Sequence, residues 1–572
     1  MIDINGHDFG KVDWHGAKVG LFWLCQGGEA PRSYFTFVGM LFGALAVYLL
    51  VSLGIGLLGR WRVRPTLEGY FAGGRQIPWW AAALSMVATT FAVDTPLAIT
   101  EYVREGGLAA NWRWWNMLIG GILSTVVFAP LWRRSGVLTD SEFLTLRYGK
   151  GLLPRFLRGF RALYMGLFIN LIIMGWVQLA MLTVLKTFVE LSPSQAWAVL
   201  IVSTLATMLY TLWGGLWSVI WTDILQFTLA LSATTLLMVR VLTQVDLSAL
   251  PEKYWAFWPG LEGIGWGLLG AIAFLGLQWW ASWYPGAEPA GGGYILQRMA
   301  STPSPRQAQM ALALFQVLHY IVRPITWFAV ALGSLIIFPT LTDHKTAYLL
   351  MGKQFLSPTE QIFLLVGLVG AYTSTISTHL NWGASYFAND LGLDEKSSWL
   401  AGRWATVALG ILSLGIVPLM DSVAKAWNFL LETGAGMGFV LIGRWFWKRI
   451  SVFSELTALV APPLGYLFFH EVIPLSFPES YLATVGWTVA WILLVSWWAG
   501  PTPEPIWRAF QAKVRPTLHA SQLLLWLLGV SGGYLTLAGL LMLLQTGGLS
   551  IYLLAGGGAL LAFFYLLKRT AS

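Results

Sequence analysis

A chain of 572 residues, 56% of them hydrophobic and only 11% charged, at a mean hydropathy of +0.65, cannot coat itself for water; soluble domains carry about 25% charged residues. Apolar runs of roughly 20 residues, enough to cross about 30 Å of hydrocarbon as helix, recur to the C-terminus and make it a polytopic membrane protein. The net charge of +8 is a topology signal and excludes a nucleic-acid partner, because the basic residues gather in alternate loops.

Residues 1–33 hold Asp, His and Lys without the basic-then-apolar layout of a cleaved signal peptide, so they are expected as an extracytoplasmic segment. The single cysteine, Cys25, cannot form an internal disulfide. Fifteen spans are expected, the first near 34–58, 78–102 and 114–132 and the last near 519–543 and 548–567. Arg60, Arg62, Arg64 and Arg75 then share one cytoplasmic loop, and Arg133, Arg134, Arg147, Arg158 and Arg161 belong to the next. Arg298, Arg306, Arg444, Lys448 and Arg508 fall on the same side. This threading puts the N-terminus outside and the C-terminus in the cytoplasm. The expected location is a bacterial plasma membrane.

No loop is long enough for a separate soluble domain. "GIGLLG" at 54–59 matches a dinucleotide fingerprint only formally, since it ends a lipid-spanning helix and follows no strand. Neither HExxH nor GxSxG occurs, so an enzyme has no nucleophile or metal set to work with.

Two spans are interrupted. "ATTFAVDTPLAIT", 88–100, places Asp94 and Pro96 in mid-span, and "WWASWYPGAEPAGGGYILQR", 279–298, carries two prolines and a glycine run. Backbone freed by such breaks must be buried in protein or line a cavity. With 34–58 as an extra leading helix, the breaks fall in the first and sixth of ten core helices, where transporters build their substrate sites. Thr95 before Pro96 is a helix-restart signal, and Asp94 either caps the second half-helix or touches cargo. Ala88 and Phe91, at i and i+3, offer carbonyl oxygens where the first half ends.

The densest polar cluster is "GAYTSTISTHLNWGASYFAND", 370–390. Ala371, Ser374 and Thr375 share one helical face. A carbonyl and two hydroxyls there suit a hard cation such as sodium. Ser377, Thr378, His379 and Asn381 extend the stripe, although serines and threonines in apolar helices often bond back to the carbonyl at i−4. Asp223, in "TLWGGLWSVIWTDILQF", lies near the inner end of its span and reads equally as a cap or anchor.

"YFAGGRQIPWW", "WGGLWSVIWTDILQ", "YILQR" and "TSTISTHLNWGASYFAND" resemble the sodium:solute symporter family, in the family's order and over roughly 34–450. The resemblance implies an all-α, LeuT-like fold: a five-plus-five inverted repeat with broken first and sixth core helices. The implied organisation is a leading helix at 34–58, a transporter core at 78–450 and further transmembrane helices at 451–572. It also implies a main sodium site on Ala88, Phe91, Ala371, Ser374 and Thr375. Asp223, Ser377 and Thr378 match a second sodium site or an exit path, which leaves one or two ions per cycle open. Asp94, Thr95, Glu288, Trp283 and Tyr284 fall in the solute-contacting stretches, with His379 and Asn381 nearby; the pattern differs from the proline and the sugar members.

The expected function is sodium-coupled import of a small polar organic solute, a sugar or polyol or an amine, with no cofactor. Proton coupling through Asp94 or Asp223 is the alternative within transport; a solute-binding receptor that moves nothing is the alternative outside it.

Overall fold

The computed structural model describes residues 32–258, 267–284, 289–420 and 422–570. The described residues are helical, turn or irregular, with no strand, as lipid demands of a chain that is not a closed barrel. Eleven helices among them are long and apolar enough to cross a membrane, or up to twelve when one sharply bent pair counts as a span.

The first helix, α1 (Arg32–Arg62), is only 28% buried over its most apolar window, so it offers most of its surface to lipid. It docks through Tyr48, which bonds Thr373 and accepts from Gln226 Nε2 at 2.9 Å.

The bent pair is α2 (Trp79–Thr90) and α3 (Thr95–Gly106), which meet at 61°. Two local causes stop the helix. Phe91 leaves helical geometry at ψ 45°, its N–H closing the last turn on Val87 and Ala88. Pro96, at the start of α3, has no N–H to offer a preceding turn. A four-residue link of unwound backbone results, inside protein rather than in lipid.

Then come α4 (Leu108–Ser135) and α5 (Leu152–Thr187), followed by α6 (Pro193–Leu242), 50 residues long and interrupted once, at Gly215. The sequence suggests two spans here, near 194–212 and 218–243, and the structure joins them at one kinked residue. Gly215 has φ 50° and ψ −142°, and a Cβ there would stand 2.4 Å from the Tyr70 carbonyl oxygen. Only glycine meets both conditions.

The second break separates α7 (Gly267–Ala281) from α8 (Gly293–Ser301). Ser282 turns extended at φ −90°, ψ 140°; residues 285–288, Glu288 among them, lie outside the described set. Helix α9 (Pro305–Ile337) carries a π-bulge at Leu318–Val322.

The centre of the molecule is α10 (Pro358–Asp390), 94% buried over its most apolar window. It packs most extensively on α6 and next on α11 (Glu395–Ile416). Two short helices, α12 (Val423–Thr433) and α13 (Met437–Phe446), lead to α14 (Val452–Leu467) and α15 (Glu479–Trp498). The chain ends in α16 (Ala520–Thr546) and α17 (Ile551–Thr570), which pack chiefly on each other.

Candidate functional site

The end of α2 is pressed against the middle of α10. Thr375 Oγ1 donates across the gap to the Thr89 carbonyl at 2.9 Å and back to the Ala371 carbonyl at 3.1 Å. The i−4 back-bond anticipated for such a residue is thus present, shared with an acceptor on another helix. Ala88, Phe91, Ala371, Ser374 and Thr375 are all buried. The first two belong to the turn where α2 stops, with the Ala88 carbonyl accepting from the Phe91 N–H at 3.1 Å and keeping a lone pair beyond that bond. The structure brings carbonyls and hydroxyls from two helices to one junction, a donor set suited to a small hard cation.

Behind this junction sits a second constellation. Ser374 Oγ donates to Asp223 Oδ1 at 2.7 Å, and Ser85 Oγ donates to Asp223 Oδ2 at 2.5 Å. Arg298 Nη2 stands 3.7 Å from Asp223 Oδ2 and donates to Thr378 Oγ1 at 2.5 Å. Thr378 also shares a 2.8 Å hydrogen bond with Thr89, while Ser377 Oγ donates to the Ser374 carbonyl at 3.0 Å. The Ser377 hydroxyl thus bonds back along its own helix, while Arg298 stands between Asp223 and Thr378.

Sequence reading missed that residue. A count of loop charges puts Arg298 with the cytoplasmic cations; the structure buries it completely. Its signal was present in "YILQR" directly after the glycine run, which makes it a residue of a re-entering half-helix.

In front of the junction lies a cavity of about 840 Å³. Thr89 and Thr375 form part of its wall, as do Asp94, Thr95, Tyr284 and His379. Asp94 is 3% exposed, and its Oδ1 has no hydrogen-bond partner among the described residues. His379 shares a 2.7 Å bond with Asn170 Oδ1.

Trp283 and Asn381 lie off the cavity. Trp283 is held by its backbone N–H on the Gly434 carbonyl at 3.1 Å, and Asn381 Oδ1 accepts from Gln297 Nε2 at 2.9 Å. Glu288 is outside the described residues.

The cavity wall also includes His319, Arg323 and Trp427. The π-bulge inserts one residue into the turn that carries His319, whose Nδ1 bonds Thr90 Oγ1 at 2.8 Å. Arg323 bonds the Thr90 carbonyl and, at 3.1 Å, the His319 carbonyl.

The sodium:solute symporter family model matches residues 70–451. The chain belongs to that family. It is a transporter and not an enzyme, and sodium-coupled solute symport is the activity its family carries. A sodium/glucose cotransporter of Vibrio parahaemolyticus is 24% identical over 497 residues, 79% of this chain and 89% of that one. The human sodium/iodide cotransporter is 26% identical over 520 residues, 82% of this chain and 71% of that one. A solved structure of a sodium-coupled sialic acid symporter, in a substrate-bound outward-open state, superposes with TM-score 0.65 at 19% identity. It covers 81% of this chain and 99% of its own, and with it the symporter shares the LeuT-like fold.

Proposed function

We infer that this symporter imports a small polar organic solute bound in the 840 Å³ cavity, driven by sodium held at the junction of α2 and α10. The observation that carries the reading is that Thr89 and Thr375 belong to both places. They join α2 to α10 by a hydrogen bond and stand in the cavity wall. Sodium ligated by Ala88, Phe91, Ala371, Ser374 and Thr375 would fix the first half-helix against α10, and α3, which starts beside Asp94, would then present that carboxylate to solute. Sodium and solute each favour the arrangement the other needs, which is positive coupling between two sites.

The relatives are named for solutes as different as glucose and iodide, and the chemistry of this chain's cavity narrows the choice. A buried carboxylate oxygen accepts but cannot donate. The rings of Tyr284 and Trp427 line the same cavity. The pair suits a solute that brings its own donors, the hydroxyls of a sugar or polyol or the nitrogen of an amine.

The test is thermal unfolding of the purified chain in sodium against potassium, with panels of sugars, polyols, amino acids and amines. A ligand that binds only the folded state stabilises it by about 2.7 kcal/mol at a hundred times its Kd. The expected result is a sodium-specific rise in melting temperature, lost in Thr375→Ala and enlarged by one solute class. No sodium effect with any solute would refute the reading, and uptake driven by pH alone would then select proton coupling.

A further inference from the structure

We propose that the solute is a zwitterion, carrying both an ammonium and a carboxylate as an amino acid does, with Asp94 taking the ammonium and Arg323 the carboxylate. The proposal rests on the symport reading above and narrows its solute.

Six of the described residues in the cavity wall carry formal charge. Glu101, Glu105, Arg113 and Lys345 are partly or fully exposed, and Glu105 pairs with Arg113 at 3.3 Å. Asp94 and Arg323 are the two that are buried, at 3% and 2% exposure. They come from different helices, α3 and α9, and stand near enough for their charges to interact.

Arg323 directs its bonds away from Asp94. Its Nε donates to the His319 carbonyl at 3.1 Å, its Nη1 to the Thr90 carbonyl, and its Nη2 to His319 Nε2 at 3.3 Å. Arginine only donates, so His319 Nε2 accepts and the ring proton sits on Nδ1, directed to Thr90 Oγ1 at 2.8 Å. The Thr90 hydroxyl passes its own hydrogen to the Val87 carbonyl at 3.1 Å. The imidazole in this chain is neutral, which leaves the guanidinium as its one cation. The rings of Phe91 and Trp327 lie 5.9 and 5.2 Å from the guanidinium carbon.

The guanidinium is thus fixed in place, yet two of its five N–H groups, one on each terminal nitrogen, take no part in these bonds. Two N–H groups match the two oxygens of a carboxylate. Asp94 is the complementary half. Its side chain makes no bond to the start of α3, so helix capping does not account for it. Its Oδ1 has no hydrogen-bond partner among the described residues.

Charge decides among the solutes. A lone amine would answer Asp94 but bring a second cation toward Arg323, and a lone acid would do the reverse. A sugar or polyol would leave both buried charges without a counter-charge from the solute. A zwitterion offers each its opposite and adds no net charge to the cavity.

The test is thermal unfolding of the purified chain in sodium, titrated with the α-amino acids, β-alanine, γ-aminobutyrate, δ-aminovalerate, glucose and mannitol. Each amino acid that raises the melting temperature is compared with the amine left by removing its carboxylate and the acid left by removing its amine. At least one amino acid should enlarge the sodium-specific rise, while its two singly charged counterparts, glucose and mannitol do not at the same concentration. Arg323→Gln should weaken binding of that amino acid about ten- to hundredfold and bring it level with its amine counterpart. Arg323→Lys, which keeps a cation, should weaken it less. A sodium-specific rise that no amino acid enlarges would overturn the proposal, whatever another solute does. So would an amino acid that wild type binds no better than its amine, or that Arg323→Gln binds as well as wild type. If Arg323→Gln does not fold, the wild-type comparison of the amino acid with its two counterparts decides. Absence of any sodium-specific rise would instead defeat the symport reading itself.

Discussion

Thr375 and Asp94 stand in the same cavity wall but answer to different ligands, and that difference can be measured. Thr375 spends its hydroxyl hydrogen on two carbonyls, which leaves its oxygen lone pairs for a cation. Asp94 has a carboxylate oxygen with no partner among the described residues, a costly state for a buried group unless a ligand completes it. Asp94→Asn preserves shape and removes charge. It should leave the sodium-specific rise in melting temperature intact and cut the further rise caused by solute. Hydrogen bonds to charged groups contribute about 1.5–3 kcal/mol, so solute should bind about ten- to hundredfold more weakly. Equal loss of both rises would mean that Asp94 serves the ion or the fold rather than the solute.

At the scale of elements, the interruptions do the positioning, and each has a local chemical cause. Gly215 lets α6 turn without a loop because its φ of 50° and its contact with Tyr70 tolerate no side chain. Gly215→Ala should lower the melting temperature, with strained backbone costing about 1–3 kcal/mol and the clash adding to it. Gly54→Ala is the matched control: its Cβ would meet nothing within 4 Å, so its effect should stay within about 0.5 kcal/mol. The breaks at Asp94-Thr95-Pro96 and before α8 were legible in the sequence because proline, glycine and an acid inside an apolar run cannot continue a helix in lipid. The π-bulge that presents His319 was not, since one inserted residue leaves composition and period almost unchanged. Nor was the burial of Arg298, Arg161 or Arg444. Charge counting assigns arginines to loops, and only the tertiary fold reveals a partner far along the chain, as Asp223 for Arg298 or Glu455 for Arg161.

The whole molecule is tied at the basic ends of its helices by a buried ionic cluster that no single segment announces. Arg161, near the start of α5, bonds Asp140 Oδ2 at 2.9 Å and faces Glu455 Oε2 of α14 at 3.5 Å. Arg444 of α13 reaches Glu455 Oε1 at 3.4 Å. Tyr386, in the last turns of α10, donates to Asp140 Oδ1 at 2.6 Å. Within this ion-paired set two anions meet two cations, and it joins the central helix, the α4–α5 connection and the C-terminal helices. Removing one member of such a set leaves an uncompensated buried charge, at a cost of about 3–5 kcal/mol. Asp140→Asn should therefore lower the melting temperature far more than a surface substitution does, and Asp140→Asn with Arg161→Met should recover part of the loss. Acid supplies an independent check. Burial pushes the Asp140 carboxyl upward, but Arg161 and the Tyr386 hydroxyl outweigh it and hold the group below the ordinary aspartate range. A carboxyl depressed by folding contributes stability that is full above its unfolded value and is lost as pH falls through its folded one. Wild type should thus lose melting temperature as pH drops below the ordinary aspartate range, and Asp140→Asn should lose less. Parallel acid curves for the two proteins would show that the cluster does not depend on the Asp140 charge.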